Sequence, residues 1–258
     1  MHPSAHVDNV LRLGRQGRSP TEVAKLTGLP RSTVRDWLQG SFPRRATHQR
    51  LLGECPRCRG PAHDFAALPA DYLYALGLYL GDGYIAEHAR GVYRLRIFLD
   101  ARYPEIVDAC EAALHALVPN NKVSRASRSG GFANSTEHSN VEVSAYSRSW
   151  VCLFPQHGPG RKHERRIVLE DWQRRLLEAH PEALLRGLVH SDGCRFINTG
   201  TNWRHPRYSF SNASADIRRI FCDACDVLGV HWTTAPRTVY VSRKDDVAEL
   251  DGFIGPKR

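Results

Sequence analysis

The chain has 258 residues, of which 41% are apolar, an ordinary composition for a globular protein with one large core or two domains. No stretch approaches the roughly 20 consecutive apolar residues that span a bilayer. Residues 1–17 are basic without a continuous apolar run, so no secretory signal is predicted. The seven cysteines are an odd number, which favours reduced thiols or a metal knuckle over a disulfide framework. We therefore expect a cytoplasmic protein with no membrane partner.

The net charge of +9 comes almost entirely from arginine, because only five of the 36 basic residues are lysines. The guanidinium fork matches phosphate oxygens and guanine edges, and a basic chain binds polyanions in a salt-sensitive way. Codon bias in a GC-rich genome is an alternative explanation for the arginine fraction. The net charge favours a nucleic-acid partner.

The first predicted unit, residues 1–42, reads as three short helices. Ser19 to Glu22 has the form of a capped helix start, and Gly28 supplies a tight turn. In the third helix Val34, Trp37 and Leu38 form the buried face. The pattern is similar to the helix-turn-helix of resolvase-like and phage-type regulators, whose recognition helix enters the major groove. This leaves four exposed residues as predicted DNA contacts: Arg31, Ser32, Thr33 and Arg35.

A predicted linker, residues 43–68, contains Cys55 and Cys58 in a Cys-x-x-Cys turn with His63 close behind. Tetrahedral zinc accepts thiolate and imidazole together, so these three residues are candidate structural Zn²⁺ ligands. The missing ligand could be His48 or Asp64, or no metal binds. Cys222 and Cys225 have the same spacing within a helical pattern and are expected to be buried thiols, and Cys110, Cys152 and Cys194 are also assigned to the core.

The remaining chain repeats one order of elements, helix-strand-strand-helix-strand-strand-helix. The first copy is predicted over residues 69–170 and the second over residues 171–258. In the first, a helix at 71–81 precedes strands near 84–85 and 93–99, a helix at 104–117, and strands at 123–128 and 141–147. In the second, a helix ending at 191 precedes strands near 196–197 and 207–211, a helix at 214–228, strands at 231–234 and 238–242, and a helix at 245–253.

The leading helix of each copy ends alike, as ALGLYLGDG at 75–83 and LRGLVHSDG at 185–193. The repetition predicts two halves packed across a pseudo-twofold axis, which brings Asp82 and Asp192 together where the paired helices end. Carboxylates at the negative end of a helix dipole favour a cation. The duplication therefore predicts a metal site.

These motifs resemble those of the LAGLIDADG homing endonucleases, also called the dodecapeptide or DOD type, over residues 69–258. The segments at 158–172 and 253–257 resemble that family's connector and usual ending. The resemblance implies an α+β, pseudo-twofold αββαββα fold whose antiparallel sheets straddle DNA, here preceded by a small all-α helix-turn-helix domain. Leu80 and His190 depart from the family pattern, which usually has an acidic residue there.

The resemblance also implies site residues. Asp82 and Asp192 would bind Mg²⁺, with Lys162 and Lys244 as weaker candidates for polarising water or neutralising phosphate charge. Small residues would let the motif helices approach closely: Gly77, Gly81, Gly187 and Ser191. On the presumed DNA-facing sheet surfaces the principal candidates for groove contacts are Arg94, Arg96, Arg125, Arg207 and Arg237. Two polar segments, 127–140 and 200–205, are predicted loops.

The function that these predictions favour is a monomeric, sequence-specific, Mg²⁺-dependent endonuclease that cuts double-stranded DNA and associates with the nucleoid through DNA binding. No intein splicing block is recognised, so we expect a free-standing protein. The alternative is a DNA-binding transcriptional regulator that kept the fold without cleavage. A role in RNA maturation is a third interpretation that the sequence does not exclude.

Overall fold

The computed structural model describes residues 4–39, 55–60, 62–128, 140–255 and 257. The chain divides into two compact units, Met1–His63 and Asp64–Arg258. No helix in the described part of the chain is both long and apolar enough to cross a membrane. His48, half of the predicted 43–68 linker and most of the predicted 127–140 loop lie outside the described residues.

The first unit contains three helices around a small core that includes Val10, Val23 and Trp37. The predicted capping box is present, with the Glu22 amide donating to Ser19 Oγ (3.4 Å) and the Ser19 amide donating to the Glu22 carboxylate (2.8 Å). Gly28 ends the second helix at φ 69°, a left-handed conformation that glycine adopts without strain. The helices are α1 (Ser4–Arg15), α2 (Pro20–Thr27) and α3 (Arg31–Leu38).

The second unit contains two copies of the predicted helix-strand-strand-helix-strand-strand order, which confirms the predicted α+β fold class. The first copy comprises α4 (Asp71–Asp82), β1 (Gly83–His88), β2 (Val92–Asp100), α5 (Pro104–Leu117), β3 (Val123–Arg128), β4 (Asn140–Ser147) and α6 (Trp150–Leu153). After α7 (Asp171–Ala179), the second comprises α8 (Pro181–Asp192), β5 (Gly193–Thr199), β6 (Arg204–Ser211), α9 (Ala215–Leu228), β7 (Thr233–Ala235), β8 (Thr238–Val241) and α10 (Lys244–Phe253).

Each copy forms its own antiparallel sheet, with strand orders β1-β2-β4-β3 and β5-β6-β8-β7. The register is equivalent in both. Gly83, which follows the first motif aspartate, pairs with Ile97, and Gly193, which follows the second, pairs with Phe210. One sheet face alternates buried apolar residues toward the helices, and the opposite face, called here the outer face, carries mainly polar side chains.

Helix α4 is buried on all sides, since residues 72–80 are all buried. This follows from its composition, because a helix that is apolar around its whole circumference must be covered by other elements. It packs against α8 and α5 in the main core. Cys110, Cys152, Cys222 and Cys225 are buried as predicted, whereas the prediction for Cys194 is wrong: it is exposed on the outer face of β5, opposite Ser209.

Candidate active site

The two motif helices touch through backbone at their glycines. A Cβ atom built on Gly77 would lie 2.7 Å from both the Leu184 carbonyl oxygen and the Leu188 nitrogen. A Cβ on Gly187 would collide with the Tyr74 carbonyl oxygen, and one on Gly81 with the Ser191 side chain. All four residues predicted for the helix interface therefore lie at close contacts, because only small residues allow the two backbones this approach.

Asp82 and Asp192 are the last residues of α4 and α8, so the paired helices carry both carboxylates to one end of their contact. Burial raises the pKa of Asp82 to about 6, and the negative charge of Asp192 adds to that rise. Burial also raises the pKa of Asp192. Burial therefore disfavours the ionised form of each carboxyl group more strongly than the nearby positive charges favour it.

Lys162 lies at the end of α4. Its ammonium group donates to the carbonyl oxygens of Tyr79 (2.6 Å), Gly81 (2.6 Å) and Gly83 (3.0 Å), which uses all three of its donors. Burial lowers the pKa of Lys162 to about 8, although the negative charges of both motif aspartates act to raise it. The lysine thus caps the helix terminus and places a positive charge beside the carboxylates.

Lys257 occupies the equivalent place in the second half. Its ammonium group donates to the carbonyl oxygens of Ser191 (3.0 Å) and Gly193 (3.4 Å), the counterparts of Gly81 and Gly83. Burial lowers the pKa of Lys257, while Asp82 and Asp192 act to raise it. Lys257 was not predicted as a site residue from the sequence, although a Gly-Pro dipeptide lies shortly before both Lys162 and Lys257.

Lys244, the residue predicted for the second half, is exposed at the first turn of α10. The charge of Lys244 does not appreciably shift the pKa of either motif aspartate. Lys162 and Lys257, in contrast, lower the pKa values of both Asp82 and Asp192. The structure therefore places Lys257, and not Lys244, in the pair with Lys162. The physical reason is that the chain returns to the helix ends only after α10 has packed on the second sheet.

Two further contacts order the second half of the site. Asn212 Nδ2 donates to the Asp192 carboxylate (2.5 Å) and fixes its orientation. His190, two residues before Asp192, is 2% exposed and bonds Tyr74 Oη through Nδ1 (2.9 Å) and the Ile254 carbonyl through Nε2 (2.6 Å). Burial lowers the pKa of His190 to about 4, so a neutral ring anchors the segment that leads to Lys257.

A cleft of about 460 Å³ opens beside these groups, lined by residues that include Gly81, Lys162, Asp192 and Asn212. The lining combines the Asp192 carboxylate and the Lys162 ammonium group with apolar and aromatic side chains, among them Leu80, Tyr84 and Ile85. An ionised carboxylate pair at two helix C-termini, flanked by two cations, can hold a divalent cation against a phosphate group.

The predicted DNA-contacting arginines of the sheets fall into two groups. Arg94, Arg96 and Arg207 lie on the outer faces, and Arg237 is exposed in the β7–β8 turn. Arg125 was also expected on a DNA-facing surface, but it points to the helix side of β3. There it is paired with Asp108 (2.7 Å) and with Glu111 of α5. The register of β3 explains this orientation. Arg125 is paired with Val143 of β4, whose side chain lies in the core, and paired residues point to the same face of a sheet.

In the first unit, Arg31, Ser32 and Arg35 of α3 are exposed as predicted, whereas Thr33, which was also expected to be exposed, is half-buried. Arg35 lies 3.3 Å from Asp36 in an exposed ion pair. The opposite side of α3 buries Val34 and Trp37 in the three-helix core. This amphipathic division leaves a basic, hydroxyl-bearing helix face accessible to a ligand.

The Cys-x-x-Cys segment forms a compact turn. The Cys55 amide donates to the Gly60 carbonyl and the Arg59 amide to the Cys55 carbonyl, both at 2.8 Å. Cys58 Sγ lies 3.3 Å from His63 Nε2, and the ligand atoms of Cys55, Cys58 and His63 all lie within 4.8 Å of one another. These three residues form a group that could hold a metal ion. Asp64, one suggested further ligand, instead accepts from the amides of Ala66 (3.1 Å) and Ala67 (3.3 Å).

No protein-family model and no curated protein matches the chain. Among solved structures, it is similar to the N-terminal LAGLIDADG domain of DUF199/WhiA, at 13% identity and TM-score 0.44 over 76% of this chain and 88% of that one. It is also similar to the homing endonuclease I-WcaI bound to its DNA recognition sequence, at 12% identity and TM-score 0.48 over 81% and 93% of the two chains. A third is the LAGLIDADG meganuclease I-AabMI bound to uncleaved DNA, at 9% identity and TM-score 0.41 over 72% and 82%.

Proposed function

We propose that this protein is a LAGLIDADG-type endonuclease that hydrolyses phosphodiester bonds of double-stranded DNA at a specific sequence with the help of Mg²⁺. The observation that carries the proposal is the pair Asp82 and Asp192, contributed by two equivalent halves at the ends of helices in backbone contact. Because one chain supplies both carboxylates, we propose that it acts as a monomer, bound to DNA in the cytoplasm.

The donor set of the site fits a hard divalent cation. Carboxylates with raised pKa values, at the negative ends of two helices, are stabilised in their ionised form by a bound cation. Mg²⁺ accepts one or two carboxylates together with waters and phosphate oxygens. When bound, the metal supplies Lewis-acid stabilisation of the scissile phosphate and a more acidic water.

The protein's own groups then have separable roles. Asp82 and Asp192 provide oxygen ligands, and the amide of Asn212 keeps Asp192 in one orientation. Lys162 and Lys257 are held in place by helix-end carbonyls, which leaves their positive charge fixed beside the carboxylates. A fixed charge at this place stabilises the extra negative charge that develops on phosphate during hydrolysis.

The test of this function is an assay on DNA from the chain's own genomic neighbourhood, with Mg²⁺ or with EDTA. We expect double-strand cuts at one position with Mg²⁺, and binding without cutting in EDTA.

The regulator alternative is favoured by one observation, the exposed Arg31, Ser32 and Arg35 on α3, which suit a DNA groove without any need for cleavage. Binding that is never followed by cutting would support that alternative.

The lysine assignment makes its own prediction. Replacing Lys162 or Lys257 by methionine is expected to reduce the cleavage rate about 10²- to 10³-fold, the usual cost of losing one electrostatic donor in a transition state. The matched control is Lys244→Met, which we expect to cut at the wild-type rate. Equal losses from Lys244→Met and Lys257→Met would contradict the assignment. Thermal melts and DNA binding of each variant separate lost chemistry from lost folding.

We also propose that Cys55, Cys58 and His63 bind a structural Zn²⁺ ion. Their ligand atoms lie close enough to share one ion, and the backbone turn of residues 55–60 already holds the two thiols together. Burial lowers the pKa of His63, which favours the neutral imidazole that coordinates metal. Zn²⁺ takes sulfur and nitrogen ligands in a tetrahedral set, so water or another side chain completes the site.

Metal analysis of the purified chain checks the zinc proposal. We expect about one zinc per chain in the wild type. The Cys58→Ser variant should lose both this zinc and the cooperative melting of the first unit. Cys222→Ser, which removes a buried helical thiol of the same spacing, is the control and should keep its zinc. A wild-type chain purified without chelator that contains no zinc, and takes none up, would refute the site.

A further inference from the structure

The two motif aspartates differ in their hydrogen-bond partners. Asn212 Nδ2 donates to the Asp192 carboxylate (2.5 Å). In the part of the chain that the structure describes, no side chain or backbone amide donates to the Asp82 carboxylate. The site is therefore unequal in its two halves, although the helices that carry the carboxylates are equivalent.

The register of the sheets shows which residue replaces the amide in the first half. The glycines that follow the two aspartates pair with Ile97 of β2 and Phe210 of β6. Two residues further along these strands, Leu99 has the place in the first half that Asn212 has in the second. Leu99 is 2% exposed and belongs to the apolar core, so its side chain offers no hydrogen bond.

The next residue of the first half does not supply the missing donor. Asp100 accepts from the side chain of Arg102, through Nε (3.0 Å) and Nη2 (2.6 Å). An ionised carboxylate accepts hydrogen bonds and does not donate them. The end of β2 therefore provides no equivalent of the Asn212 amide.

The Asn212 side chain is fixed from both ends. Its Oδ1 accepts from the Ser214 amide (2.8 Å), which assigns Nδ2 to the side that faces Asp192. Arg218 Nη1 donates to the Asn212 carbonyl (2.5 Å), and the Asn212 amide donates to the Arg237 carbonyl (3.2 Å). The amide and the carboxylate that it holds are thus oriented before any ligand binds.

The cleft beside the carboxylates lies on the side that this amide orders. Its lining includes Lys162, Asp192 and Asn212 and does not include Asp82 or Lys257. Lys162 is also held by three helix-end carbonyls, whereas Lys257 is held by two. A phosphate group in the cleft meets an oriented carboxylate and a fixed cation, while the pseudo-twofold equivalent of this set has leucine in place of the amide.

We propose that the two DNA strands are cut in a fixed order, because Asn212 is a positioning residue for Asp192 and the first half has Leu99 in its place. The inference rests on the proposed DNA-cleaving function. Carboxylates related by a pseudo-twofold axis face opposite strands, since the strands of a duplex are also related by twofold axes. The strand whose phosphate lies at Asp192 is cut first, and a duplex nicked in that strand precedes the double-strand break.

The reaction is the same at both strands and differs only in rate. At each strand a water oxygen bonds to phosphorus as one phosphorus–oxygen ester bond breaks; the attacking water releases a proton, and the leaving oxygen takes one up. Hydrogen-bond partners of a metal-binding side chain typically contribute 10- to 100-fold to metal affinity or activity. The strand at Asp82 should therefore be cut more slowly by about this factor.

The experiment follows cleavage of a supercoiled plasmid that carries the target, and end-labelled linear duplexes identify the strand that is cut. With Mg²⁺ we expect the wild type to accumulate nicked circles before linear DNA, always nicked in the same strand, with a first rate about 10- to 100-fold above the second. In Asn212→Leu, which gives the second half the residue of the first, the faster rate should fall to that of the slower strand. A general loss of folding would instead slow both strands.

Calcium binding gives a readout that does not depend on cleavage. In calorimetric titration of the DNA-free protein, Ca²⁺ should bind about 10-fold or more weakly to Asn212→Leu than to the wild type. The matched control is Asn121→Leu, which removes an amide that donates to the Tyr146 carbonyl, and it should keep both the strand order and the calcium affinity. Asn212→Ala removes the same donor without adding apolar volume and serves if Asn212→Leu does not fold.

Equal rates on the two strands in the wild type would overturn this inference and leave the nuclease proposal standing. The same holds for a folded Asn212 variant that retains either the strand order or the calcium affinity of the wild type. A wild-type protein that cuts neither strand would overturn both proposals.

Discussion

Asparagine in place of Asp82 or Asp192 is expected to reduce metal-dependent DNA cleavage by about 10³-fold or more, since a metal contributes several kcal/mol of transition-state stabilisation. Either replacement removes one negatively charged ligand and keeps the side-chain volume, so the helix contact stays intact. We expect both variants to bind DNA as well as the wild type. Cleavage rates measured under single-turnover conditions give the comparison.

The matched control is Asp245→Asn, which changes an exposed carboxylate in the first turn of α10. It should cut normally, and an Asp192→Asn variant that also cuts normally would refute the assignment.

The pH profile of cleavage gives a second readout. Because burial raises the pKa of Asp82 to about 6 when no metal is bound, protons compete with Mg²⁺ for this ligand as pH falls through that value, and cleavage at limiting Mg²⁺ should fall with it.

Alanine in place of Gly77 or Gly187 is expected to lower the free energy of unfolding of the second unit by about 3 kcal/mol or more, the upper range for overpacking a core. The added Cβ meets main-chain atoms of the facing helix, at 2.7 Å for Gly77 and closer for Gly187, and backbone cannot rotate away as a side chain can. In a domain of this size, such a loss lowers the melting temperature by roughly 6–12 °C.

Gly252→Ala is the control for this prediction, because a Cβ added to Gly252 in helix α10 would meet no described atom within 4 Å. Helix propensity alone makes alanine about 1 kcal/mol better than glycine in a helix interior, so this variant should be neutral or stabilised. Melting temperatures of the three variants test the claim. A Gly77→Ala protein as stable as the wild type would show that the helices do not touch here.

The order of elements and the duplicated motif could be predicted from sequence because both are local patterns. Helix α5 and strand β3 were predicted with the bounds that the structure has, 104–117 and 123–128, and the motif helices extend one residue beyond their predicted ends to include Asp82 and Asp192. Apolar periodicity determines which segments are helices or strands and which of their faces is buried. A repeated order of elements then implies two similar halves.

Only the tertiary structure decided which polar groups meet. Strand β3 has little apolar alternation, so its sequence could not show that Arg125 faces the helices, whereas pairing with β4 determines this. Lys257 reaches the helix ends because the chain returns past α10, and Asn212 reaches Asp192 from a different strand end. The burial of Glu142 under Arg94 and Arg96 depends on the register of β2 against β4. Such contacts join residues far apart in the chain, and spacing along a sequence carries no information about distance across a sheet.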